Sequence, residues 1–208
     1  MIIDATKDIA IAYKINTAFY EAEGINGLRS MEKTLNYIPS NIFKIADAKR
    51  GDIGNTSLQY ARAFFDTFCF DAITVAPYMG RDSIEPFLSY KDKTVIILAL
   101  TSNNGAKDFQ LLEFSGRPLY IEVIEKSKKW GENIMYVVGA TKAKELKEIR
   151  NIIPDNFILV PGIGAQGGNM EEVLLNGLNK NFGLIINVSR SVIYASEGGD
   201  FAKKAYEE

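Results

Sequence analysis

Short apolar runs alternate with amphipathic stretches along the whole chain. The apolar runs, rich in β-branched and aromatic residues, predict strands at Ile9–Asn16, Phe43–Lys49, Ala72–Ala76, Val95–Thr101, Met135–Ala140, Phe157–Pro161 and Leu184–Val188. Most are near-continuous, the pattern of strands buried on both faces of a parallel sheet. Helix periodicity lies between them, near Gly27–Tyr37, Ser57–Phe68, Ile84–Leu88, Leu119–Trp130, Ala143–Ile152 and Met170–Leu178. In the stretch 143–152, Leu146, Ile149 and Ile152 share one stripe with Lys and Glu opposite, and Pro154 marks its end.

Regular strand–helix alternation implies an α/β fold, either a doubly wound sheet or a (β/α)8 TIM barrel. The residues that follow the strands favour the barrel. Polar groups stand after nearly every one: Lys14 and Asn16, then Asp47, Lys49 and Asp52, then Pro77–Asp82, Thr101–Asn104, Thr141, Gly162–Gly168, and Ser189 with Arg190. A barrel spreads one site over many strand ends, whereas a doubly wound sheet gathers it at one switch point. Seven strands are one short of the barrel. Met1–Asp8 reads as the tail of a helix feeding the Ile9 strand, so the first strand is the one expected to be missing.

Composition narrows the chemistry. The 208 residues are 47% apolar, with 24 Lys plus Arg against 26 Asp plus Glu, one Cys and no His. This length predicts one domain over residues 1–208. A net charge of −2 gives no reason to expect nucleic acid or an anionic membrane as partner. The longest strictly apolar run, Val95–Leu100, is far too short to span a bilayer. No signal-peptide pattern follows Met1, and a lone Cys69 fits a reducing compartment, so the cytoplasm is expected. Without histidine there is no Ser-His-Asp or Cys-His catalysis and no histidine-ligated metal. Proton chemistry falls to Lys, Asp, Glu, Tyr or Cys.

Two stretches carry the strongest signals. In Ala46-Asp47-Ala48-Lys49-Arg50-Gly51-Asp52-Ile53-Gly54-Asn55-Thr56, Asp47 and Lys49 are two apart at a strand end and share one face. A lysine flanked by Asp47 and Asp52 suits a positioned acid better than a Schiff-base amine; the plainer reading is a surface ion pair. In Pro161-Gly162-Ile163-Gly164-Ala165-Gln166-Gly167-Gly168, backbone N–H groups before a helix can cradle a phosphate. Arg190 after the last strand would complete a monophosphate site of the kind barrels build there. The plainer reading is a tight turn. A Rossmann dinucleotide site is disfavoured, because this loop comes late and no acidic residue follows at the required spacing. Thr101-Ser102-Asn103-Asn104-Gly105 could read a heterocycle edge or be an ordinary turn.

Taken in order, these motifs resemble orotidine 5′-monophosphate decarboxylases. Asp47-Ala-Lys49-Arg-Gly-Asp52-Ile53-Gly-Asn-Thr56 is similar to the family's D-x-K-x-x-D-I-x-x-T signature. Tyr78-Met79-Gly80, Thr101-Ser102-Asn103, Val138-Gly139-Ala140-Thr141, Pro161–Gly167 and Asn187-Val-Ser-Arg190 follow in the family's order, nearest its long bacterial and apicomplexan-like branch. The resemblance implies a barrel that forms a homodimer along the open strand ends, with active sites shared between subunits. It implies conversion of orotidine 5′-monophosphate to uridine 5′-monophosphate in de novo pyrimidine biosynthesis, with no cofactor and no metal.

Residue by residue, the resemblance makes Lys14 the first lysine of an alternating Lys-Asp-Lys-Asp array, Asp47 the carboxylate facing the substrate's own, and Lys49 the proton donor. Asp52, Ile53 and Thr56 would serve the neighbouring subunit's site. Ser102 would hydrogen-bond the pyrimidine, and Gln166, Arg190 and the backbone around Pro161 and Gly164 would hold the phosphate. Asn16 joins the candidate substrate contacts. Two departures stand out: the family's Ser-Asn-Pro-Gly turn reads Ser102-Asn103-Asn104-Gly105, which predicts a less rigid turn, and the ribose-binding Asp of the family's first strand has no counterpart before Met1. The rival readings are a Mg²⁺-dependent sugar-phosphate decarboxylase relative, and an N-terminally truncated barrel that binds nucleotide without turnover.

Overall fold

The computed structural model describes residues 1–164 and 167–208. Strands β1 (Ala12–Asn16), β2 (Phe43–Arg50), β3 (Ala72–Val75), β4 (Thr94–Leu100), β5 (Glu113–Phe114), β6 (Arg117–Pro118), β7 (Ile134–Val138), β8 (Ile158–Pro161) and β9 (Leu184–Asn187) alternate with helices. The helices are α1 (Ile2–Thr6), α2 (Thr17–Glu21), α3 (Gly24–Tyr37), α4 (Gly54–Arg62), α5 (Arg81–Leu88), α6 (Leu119–Ser127), α7 (Glu145–Ile152), α8 (Met170–Gly177), α9 (Arg190–Ile193) and α10 (Phe201–Glu207). Among the described residues no helix is long and apolar enough to cross a membrane.

Seven strands form one all-parallel sheet in the order β1-β2-β3-β4-β7-β8-β9. Neighbours in sequence are neighbours in space, as successive right-handed crossovers produce. That order excludes a doubly wound sheet, which reverses direction at a switch point. The sheet curls into a nearly closed barrel with β1 and β9 at its edges. All seven strands coincide with apolar runs marked by the sequence.

Alternation along each strand sorts the side chains into two populations. On β4, Val95, Ile97 and Ala99 point outward to the helices, while Ile96 and Leu98 point into the barrel. On β7, Ile134, Tyr136 and Val138 point outward and Met135 and Val137 inward. The outer layer holds most of the core, including Phe64, Phe87, Ile124, Leu146 and Ile149. The inner cluster is small, with Ile45, Ala72, Ile96, Met135, Val137 and Leu159 buried in it. It packs the barrel floor, and what lies above it on the inward face is the functional end of the barrel.

The departures from expectation are local. The first strand begins at Ala12 rather than Ile9, because Ile9 and Ile11 face solvent. The predicted helix over 57–68 is α4 followed by a π-helical turn, Ala63–Thr67. The β5–β6 hairpin carries no apolar alternation; Ser115 and Gly116, both at positive φ, make its turn. Helices α2, α9 and α10 are too short to show a period.

Beyond the barrel floor, Arg150 ties several elements together. Its guanidinium donates to the carbonyls of Gly177, Gly183, Ile153 and Asn156 at 2.7–3.1 Å, fastening the end of α8 and the turns before β8 and β9 to α7. Replacement by methionine removes these charge-assisted bonds and leaves carbonyls unpaired. Arg150→Met should destabilise the protein by about 3 kcal/mol in urea unfolding; an unchanged midpoint would show that water replaces the guanidinium freely.

Candidate active site

The inward positions nearest the carboxyl ends of the strands are polar where the floor is apolar. Continuing the inward alternation from Ala12 on β1 gives Lys14 and Asn16; Asp47 follows Ile45 on β2, Thr74 follows Ala72 on β3, and Asn187 follows Ile185 on β9. These groups line a cavity of about 650 Å³ whose base is Leu98, Val137 and Leu159. Loops after β4, β8 and β9 complete the wall with Ser102, Pro161 and Arg190. The cavity is therefore polar at its mouth and walls and apolar at its base, and every strand of the barrel contributes to it.

Asp47 is the electrostatic centre. Its Oδ2 accepts from Lys14 Nζ at 2.6 Å, and its Oδ1 accepts from Lys49 Nζ. Lys14 and Asp47 are nearly buried, with side chains 9% and 12% exposed, whereas Lys49 is half-exposed at 52% and reaches into the open cavity. Burial raises the Asp47 pKa, but the charges and hydrogen bonds of the two lysines outweigh it and hold the carboxyl below its ordinary value. The result is a fixed carboxylate between two cations, one anchored and one facing the space a ligand would fill.

Asp47 reaches this position by simple alternation, and Lys49, two residues on, shares its face but stands where the ladder is broken. The β2–β3 register shifts between Ala46 and Arg50, and Lys49 sits in the left-handed region at φ 48°. The backbone bulges there, and the bulge sets the direction from which Lys49 meets Asp47. Thr74 and Phe19 line the cavity and were not singled out by sequence. The signal for Thr74 was present, as the one polar residue in the apolar run Ala72–Val75.

The structure brings Lys14, Asn16, Asp47, Lys49, Ser102, Pro161 and Arg190 to one cavity. It does not bring Asp52, Ile53 or Thr56 there. Asp52 accepts from the backbone N–H of Ile53 at 2.8 Å, so within this chain Lys49 is held by Asp47 and not between two carboxylates. Ile53 is 57% exposed and Thr56 stands exposed on the first turn of α4. Gly164 is exposed at φ 70° beside the cavity, and Gln166 lies outside the described residues.

The surrounding loops pack too closely to admit side chains at two points. A Cβ on Gly139 would sit 2.7 Å from the Ser102 backbone nitrogen, and one on Gly168 would meet Ala140 Cβ at 2.3 Å. The loop bearing Ser102, where Asn104 was expected to loosen the turn, is fastened by Gln110. Its Oε1 accepts from Thr101 N–H at 2.8 Å and its Nε2 donates to Thr101 Oγ1 at 2.9 Å, while Asn104–Asp108 form a short 3-10 helix.

Residues 1–205 match the orotidine 5′-phosphate decarboxylase / HUMPS family. The chain is 60% identical over 212 residues to an orotidine 5′-phosphate decarboxylase of Flavobacterium johnsoniae, covering all of this chain and 78% of that protein. Its structure resembles the OMP decarboxylase of Leishmania donovani at a TM-score of 0.90 and 38% identity, over 99% of this chain and 81% of that one. It also resembles the Leishmania donovani UMP synthase at a TM-score of 0.92 and 41% identity, over 99% of this chain; here the chain spans about half of its relative's length, 47%.

The lowered pKa of Asp47 has a signed consequence. The stability it lends is in place above the ordinary carboxylate value of 3.8 and is lost as pH falls through the lower folded value. Carbon-detected NMR should find Asp47 titrating below 3.8, and Lys14→Met should move that titration upward as burial loses its counterweight. An Asp47 that titrates alike in both proteins would contradict the assigned cause.

Proposed function

The chain belongs to the orotidine 5′-phosphate decarboxylase / HUMPS family, and we propose that it converts orotidine 5′-monophosphate to uridine 5′-monophosphate with the Asp47–Lys49 pair at the reacting carbon. The observation that carries this reading is a preformed cation, Lys49, fixed by a buried carboxylate over an apolar-based cavity wide enough for a nucleotide.

The chemistry follows from charge. Breaking the bond between C6 and the carboxylate releases CO₂ and leaves the electron pair on an sp² carbon with no adjacent π acceptor. That pair needs a positive charge already in place. Lys49 faces it and transfers a proton to C6, giving the product and a neutral amine that solvent re-protonates. Because Asp47, itself anchored by Lys14, holds Lys49 before the substrate arrives, little reorganisation accompanies the reaction, and this is where a fixed array outperforms water. Asp47 beside the substrate carboxylate adds repulsion that is relieved as CO₂ departs.

The remaining candidate groups take positions suited to the rest of the nucleotide. Ser102 stands where a pyrimidine edge would meet the loop after β4, and Asn16 faces the cavity from β1. Arg190 and the glycine loop after β8, Gln166 included, would hold the phosphate far from the breaking bond, so that its binding energy helps close the site.

We further propose that the working unit is a cytoplasmic homodimer with shared sites. Exposed apolar side chains crowd the open strand ends, among them Tyr78 at 86%, Phe109 and Phe114 at 61% each, and the Tyr78 and Phe109 rings are paired at 6.3 Å. Such a patch supports burial against a second copy. Asp52, Ile53 and Thr56, which lie outside their own cavity, would enter a neighbour's in such a dimer.

Lys49→Ala should abolish turnover of orotidylate while uridine monophosphate still binds, measured by ultraviolet assay and calorimetry; turnover near the wild-type rate would sink the assignment of the acid. A chelator should leave the wild-type rate unchanged, whereas the Mg²⁺-dependent rival requires a loss. Arg190→Ala should weaken uridine monophosphate binding roughly 10- to 100-fold, and unchanged affinity would place the phosphate elsewhere.

A further inference from the structure

The bulge that presents Lys49 is held by a residue outside the signature motif. Between Ala46 and Arg50 strand β2 advances four residues while β3 advances only from Ile73 to Val75, so the ladder is broken where the site is built. Lys49 takes φ 48° inside this break, a conformation that non-glycine residues keep only when their surroundings enforce it. The backbone N–H groups of Ala48 and Lys49, with no strand partner there, both donate to Thr74 Oγ1, at 3.0 and 2.9 Å. The same oxygen lies 3.4 Å from Ala46 O and 3.4 Å from Asp47 Oδ1, either of which can take its proton. Thr74 is 1% exposed, so it is fixed by packing as well as by hydrogen bonds.

The opposite side of the bulge is held too. Arg50 Nη1 donates to Ala48 O at 3.1 Å, and its guanidinium is itself held by Glu21 and by the rings of Tyr60 and Phe64, each 5.3 Å from Cζ. Arg50 thus fixes the carbonyl of the bulge, and Thr74 fixes its N–H groups and reaches the Asp47 carboxylate.

We infer that Thr74 is a positioning residue: its hydroxyl locks the left-handed turn at Lys49 and thereby sets where the Lys49 ammonium stands relative to Asp47 and the reacting carbon. This rests on the decarboxylase reading above. Without the hydroxyl, two part-buried N–H groups lose their acceptor and the left-handed turn at Lys49 can relax, which shifts the ammonium relative to Asp47 and the reacting carbon. The loops assigned to the base and phosphate do not depend on Thr74, so the loss should fall on kcat rather than on nucleotide affinity.

The test compares Thr74→Val, which keeps the shape and removes the hydroxyl, with Thr74→Ser, which keeps the hydroxyl. Measured quantities are kcat and KM for orotidylate, affinity for uridine monophosphate, and amide hydrogen exchange at Ala48 and Lys49. Thr74→Val should lower kcat about 100-fold, the scale of an ångström of misplacement, with affinity within about twofold and faster exchange at both amides. Thr74→Ser should stay near wild type in all of these; if the valine variant does not fold, Thr74→Ala carries the same comparison. Wild-type kcat in Thr74→Val, an equal loss in Thr74→Ser, or a loss with both amides still protected would each overturn the inference. A wild-type chain that leaves orotidylate untouched would instead sink the decarboxylase reading, and the exchange data would still decide whether Thr74 holds the bulge.

Discussion

A carboxylate buried between two ammonium groups is the constraint on which the rest of this site depends. Burial works against the Asp47 carboxylate and the Lys14 and Lys49 ammonium groups outweigh it, while Lys49 takes its position from Asp47. Buried charges cost several kcal/mol each when unpaired, so the array is tolerated only because each member satisfies another. The barrel supplies the geometry. Its inward positions alternate from apolar floor to polar rim, and adjacent parallel strands bring Lys14, opposite Ile45, and Asp47, opposite Asn16, within hydrogen-bond distance across one diagonal.

The array is asymmetric, and that asymmetry directs the chemistry. Lys14 is enclosed and pairs with Asp47 from the barrel wall, while Lys49 is half-exposed and faces the cavity. In the proposed reaction the second is the one that gives up a proton. Its position comes from a break in regular structure rather than from the regular strand: a bulge and a left-handed backbone in a segment that is otherwise extended. Strain of this kind persists where neighbouring groups over-determine it, and here Thr74 and Arg50 grip the two sides of the peptide chain.

Much of this was legible in the sequence. Most of the barrel strands are near-continuous apolar runs, because a parallel sheet is covered on both faces. The cavity groups Lys14, Asp47, Lys49, Ser102 and Arg190 stand at strand ends, where the pattern turns abruptly polar. Other features were not legible, for physical reasons. The bulge leaves no mark, since Ala48 and Lys49 are ordinary strand-end residues and the break is imposed by a partner 25 positions away. The fastening of the Ser102 loop by Gln110 is likewise a tertiary contact; a missing proline suggested looseness that a side-chain amide makes good. Asp52 was read as a second partner of Lys49 from its spacing, but the backbone turn after Gly51 points it to its own neighbouring N–H instead.

In the proposed reaction this chain breaks a carbon–carbon bond with fixed charge alone and then protonates C6. Its most direct test is turnover of orotidylate in D₂O with a chelator present, reading the product by NMR. The expected product is uridine monophosphate carrying deuterium at C6, formed in step with released CO₂. Substrate left intact, or turnover that stops when the chelator is added, would contradict it.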